Sequence, residues 1–179
     1  MKFIRLIIFS FVSLFAVVLI ISLFIPSHIR ISRATEIHTS PDSVRPYLAD
    51  PLKWKSWYPN LDSAEVYREK GIVKGMSSGK QGGALLIIDS ISATLVRTRY
   101  EVGSRRDVLS GWALHFDPAH PELVTVQWYM DFHLRWYPWE KFASLVFEKS
   151  YGPMMEAGLD RLKRLTEDRA SQNTAPAEL

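Results

Sequence analysis

Gly152-Pro-Met-Met-Glu-Ala-Gly-Leu-Asp-Arg-Leu-Lys-Arg-Leu165 is the stretch whose reading decides the fold. Tyr151, Met154, Met155, Gly158, Leu159, Leu162 and Leu165 recur at helical spacing, and Glu156, Asp160, Lys163, Arg164 and Glu167 fall opposite. The spacing predicts one long amphipathic helix. Pro153 suits its first position, where a missing N–H removes nothing. Gly158 interrupts the apolar stripe. A glycine inside a helix costs about 1 kcal/mol against alanine, so a tight packing contact or a cavity is expected beside it. Beyond Asp168 the chain turns small and polar, and residues 169–179 are expected to form a disordered tail.

The segment before the helix is a strand. Val124, Val126, Trp128, Met130, Phe132, Leu134 and Trp136 alternate with Thr125, Gln127, Tyr129, Asp131, His133 and Arg135. Period two over this length predicts a strand with one dry and one wet face. Tyr137-Pro138 then opens a helical segment with Trp139, Phe142, Ala143 and Val146 as its stripe. Upstream, His28–Ile37 and Val108–Phe116 also alternate. Ala84–Ile91 is a continuous apolar run, as expected of a strand buried on both faces. Ala93–Glu101 is rich in Thr, Val and Tyr, and Ser63–Glu69 and Ile72–Ser78 complete the strands. Ser40-Pro41 opens a short helix, and Pro51–Tyr58 gives a second short helix or turn carrying Trp54 and Trp57. Gly79-Lys-Gln-Gly-Gly83 lacks the phosphate-loop spacing and a following helix, and reads as a hairpin loop. The order is strand, two short helices, about six antiparallel strands, long helix. A one-sided sheet must bury its dry face. The expected fold is α+β, a curved antiparallel sheet around the C-terminal helix, over residues 28–168.

Residues 1–27 are a separate unit. Leu6–Ile25 is apolar apart from three serines, which can bond to their own helix backbone. About 20 residues cross a hydrocarbon core of roughly 30 Å. The run exceeds the apolar core of a signal peptide and no A-x-A-like site follows it, so an uncleaved single-pass anchor is expected. Lys2, Arg5 and the amino terminus precede the run, and Arg30 and Arg33 follow it. The positive-inside rule then places the domain on the periplasmic or extracellular side. Three residues separate Ile25 from Ile29 and reach roughly 10–11 Å. That tether holds the domain at the bilayer surface, with Arg30, Arg33, Lys53 and Lys55 available to anionic headgroups.

Composition excludes several classes. The 179 residues carry a net charge of +3 and no cysteine. Basic residues are scattered, so no nucleic-acid partner is expected, and cysteine chemistry of every kind is excluded.

Ile31-Ser-Arg-Ala-Thr-Glu-Ile-His-Thr-Ser-Pro-Asp-Ser-Val44, followed by Leu48-Ala-Asp50, Trp54, Trp57 and Pro59, then Val124-Thr-Val-Gln-Trp-Tyr-Met130 and the terminal Gly152–Lys163 helix, together resemble a known superfamily. It is the START-like, or SRPBCC (polyketide cyclase/dehydrase-type), helix-grip (START/Bet v 1-like) superfamily, and the resemblance spans most of residues 29–167. Pro138-Trp-Glu-Lys-Phe142 is similar to a membrane-anchored subgroup. The resemblance implies a hydrophobic cavity between sheet and helix that holds lipids, polyketides or other apolar molecules. It supplies no catalytic motif.

The candidate ligand-binding residues are Trp57, Ser110, Trp112, Leu114, Phe116, Trp128, Met130, Phe132, Met154, Met155, Gly158 and Leu162. They are the dry-face aromatic, leucine and methionine side chains, with Ser110 as the one polar group among them. Methionine adapts to variable contents. The same residues can equally fill a solid core. His115-Phe-Asp-Pro-Ala-His120 brings two histidines near a carboxylate, but Asp-Pro and His-Pro are turn formers, and a metal site needs three or four converging ligands. Asp131 and His133 share the wet face and read as a surface hydrogen-bond ladder. No cofactor and no metal are expected, and the oligomeric state is not encoded legibly. Three functions are compatible with this pattern. One is a membrane-anchored, non-catalytic binding domain for an apolar small molecule or lipid. The second is a cyclase/dehydratase-type enzyme, with Ser110, Thr98 and Tyr100 as its only polar candidates. The third is a solid-core interaction module.

Overall fold

The computed structural model describes residues 2–78, 84–102 and 107–174. The Gly79–Gly83 loop and residues 175–179 lie outside them. The N-terminal apolar run forms α1 (Lys2–Leu23), and β1 (His28–Ile37) begins after four intervening residues. Two short helices follow, α2 (Pro41–Ala49) and α3 (Pro51–Trp54). Then come β2 (Glu65–Glu69), β3 (Ile72–Ser77), β4 (Ala84–Ile91), β5 (Leu95–Val102), β6 (Asp107–Phe116) and β7 (Val124–His133). The chain closes with α4 (Pro138–Ser144) and α5 (Phe147–Thr174).

All seven strands form one antiparallel sheet in the order β1-β7-β6-β5-β4-β3-β2. The first strand therefore pairs with the last, His28 opposite His133 and Ile37 opposite Val124. Register shifts at Tyr67/Arg68 and Ile88/Ser90 bend the far side of the sheet. An extra residue on one strand of a pair bends that strand and raises its local twist. The sheet curves around α5, the arrangement expected from the helical stripe. Val124, Val126, Trp128, Met130 and Phe132 of β7 are buried on the concave face, and Met155, Leu159 and Leu162 of α5 come down upon it. Arg33 ties the two together through Glu148 and Glu156 of α5, the latter at 2.6 Å.

Four local expectations are corrected. The final helix starts at Phe147, so Pro153 lies inside it rather than at its first position. Packing of Phe147 and Tyr151 on Phe132, with ring centroids 4.8 and 4.9 Å from it, favours the earlier start. The same helix runs on to Thr174, with Lys163 and Glu167 one turn apart at 3.9 Å on its last stretch. Strand β4 is not buried on both faces: Leu86 is buried, but Asp89, Ser90 and Ile91 are exposed. Its apolar run reflects strand propensity as much as burial. Finally, the face of α4 is inverted. Trp139 and Val146 are exposed, while Glu140, Lys141 and Ser144 are buried.

Candidate functional site: a tyrosine- and methionine-lined pocket

The concave space divides into two halves. The half beneath α2 and α3 is solid. Trp54, Trp57, Trp112 and Trp128 are fully buried and meet edge to face, with Trp57 5.3 Å from Trp112 and 5.8 Å from Trp128. Such geometry sets the positive ring edge against the negative face. Buried indoles require acceptors. Trp54 Nε1 donates to the Leu48 carbonyl at 2.9 Å and Trp57 Nε1 to the Tyr47 carbonyl at 3.0 Å. Trp128 Nε1 donates to Ser110 Oγ at 3.1 Å, and Ser110 in turn donates to the Tyr129 carbonyl at 3.0 Å. The Ser110 hydroxyl is thus engaged in holding a tryptophan. Trp112 Nε1 and Thr98 Oγ1 are buried without a partner among the described residues.

The other half is open. A pocket of about 110 Å³ lies between β3–β5, the Tyr58–Ala64 segment and the first turns of α5. Its walls are Met76, Leu86, Met130 and Met154, and Leu61 and Ala64 also line it. Register explains the floor: Met76 stands opposite Leu86, and Leu86 opposite Tyr100. Three phenols, Tyr58, Tyr100 and Tyr151, also line it, and no lining residue is charged. Burial pushes the Tyr58 phenol well above its ordinary range, with smaller contributions from Tyr100 and Tyr151. Burial also raises Tyr100, helped by Tyr151. Protonated phenols in an apolar wall can donate hydrogen bonds to a neutral ligand.

The twelve candidate residues are distributed unevenly. Met130 and Met154 line the pocket. Phe132 stands behind it, against Phe147 and Tyr151. Trp57, Ser110, Trp112, Leu114, Trp128, Met155 and Leu162 are buried in the core. Gly158 is a close contact rather than a gap: a Cβ there would lie 2.8 Å from Trp128 Cζ3 and 2.9 Å from Pro59 Cδ. Phe116 is 46% exposed at the end of β6, paired only with Val124, so the expectation that it faces the enclosed space is corrected. Tyr58, Met76, Leu86 and Tyr151 complete the pocket without having been read as site residues. Tyr151 already stood in the helical stripe, but Tyr58 arrives on an irregular segment that no periodicity marks.

The other chemistry candidates resolve into structure. Asp131 takes a bidentate pair from Arg30, both bonds 2.7 Å, and His28 stacks on His133 at 4.5 Å. Arg30 is the main reason the Asp131 carboxyl is held below its ordinary range. Arg30 and Arg33 are therefore paired with carboxylates, not free for headgroups. Asp117 accepts from the Ala119 N–H at 2.9 Å, as a turn residue does. Among the described residues no group of three or more His, Cys, Asp or Glu is arranged to hold a metal.

A curved antiparallel sheet closed by a long C-terminal helix, with an apolar pocket between them, defines a helix-grip protein. The chain belongs to the polyketide cyclase/dehydrase and lipid transport family, whose sequence profile matches residues 28–167, and so to the START-like (SRPBCC) superfamily. No curated protein matches it. Among solved structures, the Zhui aromatase/cyclase of Streptomyces sp. R1128 has a TM-score of 0.56 at 16% identity, covering 80% of this chain and 96% of that one. Truncated norcoclaurine synthase from Thalictrum flavum has a TM-score of 0.56 at 13% identity, covering 77% and 92%. A START superfamily protein from Mycobacterium smegmatis has a TM-score of 0.51 at 15% identity, covering 81% and 99%. At these identities the likeness is one of fold.

Proposed function

We propose that this chain is a membrane-anchored binding domain for a neutral, apolar small molecule or lipid portion held in the Tyr58–Tyr100–Tyr151 pocket. The observation that carries the reading is the lining: methionine and leucine walls, three phenols and no charge. A charged ligand would lose its hydration there with nothing to replace it. A cavity of about 150 Å³ accommodates benzene in another protein. A pocket of about 110 Å³ therefore suits one ring or a short chain before any side chain moves. Larger contents would be met by rotation of Met76, Met130 and Met154, whose unbranched side chains adapt readily.

The anchor is α1. Phe3–Leu23 spans 21 residues, long and apolar enough to cross a membrane, and almost none of it is buried within the protein. The domain then lies on the periplasmic or extracellular side, with the bilayer as the source of its ligand. The test is native mass spectrometry of the full chain released from lipid nanodiscs, compared with Met154→Trp, which fills the pocket. A neutral adduct on the wild type that is lost in the variant supports the reading. An adduct retained equally by both, or none on the wild type after loading with mixed lipids, overturns it.

A further inference from the structure

Helix α4 reverses the usual economy of a surface helix. Its charged residues point inward, and each inward charge is satisfied. Glu140 accepts from the Arg135 N–H at 2.9 Å. Lys141 Nζ donates to the Ile25 carbonyl at 2.8 Å, just beyond the end of α1. Ser144 Oγ closes on the Lys141 carbonyl at 2.6 Å. A second bond, from the Leu134 N–H to the Ser27 carbonyl at 2.7 Å, fixes the start of this segment to the same turn of chain. Ser22 on α1 is buried. So α4 is fastened to the point at which α1 ends.

The outward face is correspondingly apolar. Trp136 is 66% exposed, Trp139 62% and Leu145 64%, with Val146 and Phe24 also exposed. The rings form a preset platform. Trp136 and Tyr137 are 4.8 Å apart, Tyr137 and Trp139 are stacked at 4.8 Å and 9°, and the Arg135 guanidinium lies 6.0 Å from the Tyr137 ring. Exposed apolar patches of this kind mark contact surfaces. Tryptophan and tyrosine, each with an apolar body and a polar tip, concentrate at the level of lipid headgroups. The platform is tied to the carbonyl of Ile25, where the apolar span gives way to the domain, so it is held at that level.

We propose that Trp136, Tyr137, Trp139, Leu145 and Val146 form a second membrane contact, in which α4 lies in the headgroup interface and fixes the tilt of the domain on the bilayer. The inference rests on the reading of α1 as a membrane span. Arg135 at the edge of the platform faces lipid phosphate. Phe147, three residues beyond α4, packs with Phe132 and Tyr151, and Tyr151 also lines the pocket.

The experiment reconstitutes the full chain in phosphatidylcholine vesicles carrying bromine at a shallow acyl position and reads tryptophan quenching. Of six tryptophans, Trp54, Trp57, Trp112 and Trp128 are fully buried, so quenching reports on Trp136 and Trp139. Wild-type emission should fall, and the fall should vanish in Trp136→Phe/Trp139→Phe, whose aromatic bulk is kept. Equal quenching of both proteins overturns the proposal. So does the absence of quenching in a wild-type chain that stays with vesicles through alkaline carbonate, in which case α1 anchors but α4 does not dock. If that unquenched chain, carrying Trp139→Cys, also crosslinks as a pair, the platform belongs to a second copy. Quenching of a chain that carbonate strips off would leave α4 docking in place and remove the span.

Discussion

At the scale of single residues, Gly158 shows where a stripe stops informing. Its helical phase placed it against the sheet, and that much was legible. Whether it faced a void or a wall depended on Pro59, which an irregular segment carries across the helix. The wall is close: Trp128 Cζ3 and Pro59 Cδ lie 2.8 and 2.9 Å from where a Cβ would stand. Gly158→Ala gains about 1 kcal/mol of helix propensity. Overpacking of a filled core costs about 1–3 kcal/mol. Because the partners are a buried indole and a proline ring, the second effect should win, and urea denaturation should show a net loss. A stabilised variant would mean that both rings give way. Tyr58 makes a second prediction. Its phenol is raised by burial above the ordinary 10.0. The unfolded chain releases that proton first, so the contribution to stability is whole below about pH 10 and drains away as pH rises toward the folded value. The urea midpoint should begin to drop above about pH 10 in the wild type and keep falling as pH rises further, and Tyr58→Phe should flatten the drop. An identical decline in both proteins would assign it to other groups.

At the scale of elements, the long alternations and the long stripe were legible because each has one buried face, and a buried face fixes phase. Thus β1, β6, β7 and most of α5 match their patterns. The failures share a cause: neighbours outvoted local preference. Phe116 ends its strand beyond cover, α4 turned its charges inward to meet Arg135 and Ile25, and α5 began before its proline because Phe147 and Tyr151 had Phe132 to pack on. Gly152 belongs to that last adjustment. A Cβ there would stand 2.7 Å from an Arg33 guanidinium nitrogen, the group that bonds Glu148 and Glu156. Pro153 is a residual conflict, since it lacks the N–H that would meet Lys149 and is exposed on the outer side. A proline inside a helix costs about 3 kcal/mol. Six residues precede this one in α5, so Pro153→Ala should recover part of that, about 1–2 kcal/mol, in urea melts. A loss of stability instead would show that the proline ring itself helps to seat Met154 and Tyr151.

At the scale of the whole molecule, the tether and the pocket are coupled by direction. Helix α1 ends at Leu23 and β1 begins at His28. The four intervening residues reach at most about 13–14 Å. That keeps His28 and its partner His133 at the end of the sheet nearest α1. Met130 lies three residues from His133 along β7, roughly 10 Å at strand rise. The pocket thus opens from the half of the sheet nearest α1, while α2 and α3 close the far half with tryptophan. Apolar ligands are scarce in water and abundant in a bilayer. A pocket fed from lipid should therefore depend on this proximity, whereas a pocket fed from solution should not. Inserting a long Gly/Ser linker between Ser27 and His28 separates the two cases, since it lets the domain leave the surface. It also detaches Ser27 from the Leu134 N–H. The amount of ligand recovered with the chain from membranes should fall, while affinity for the same ligand added in detergent stays constant. Unchanged recovery would reduce α1 to an address for the protein and leave the short tether without a mechanistic part. A fall in affinity as well would instead locate the effect in the fold.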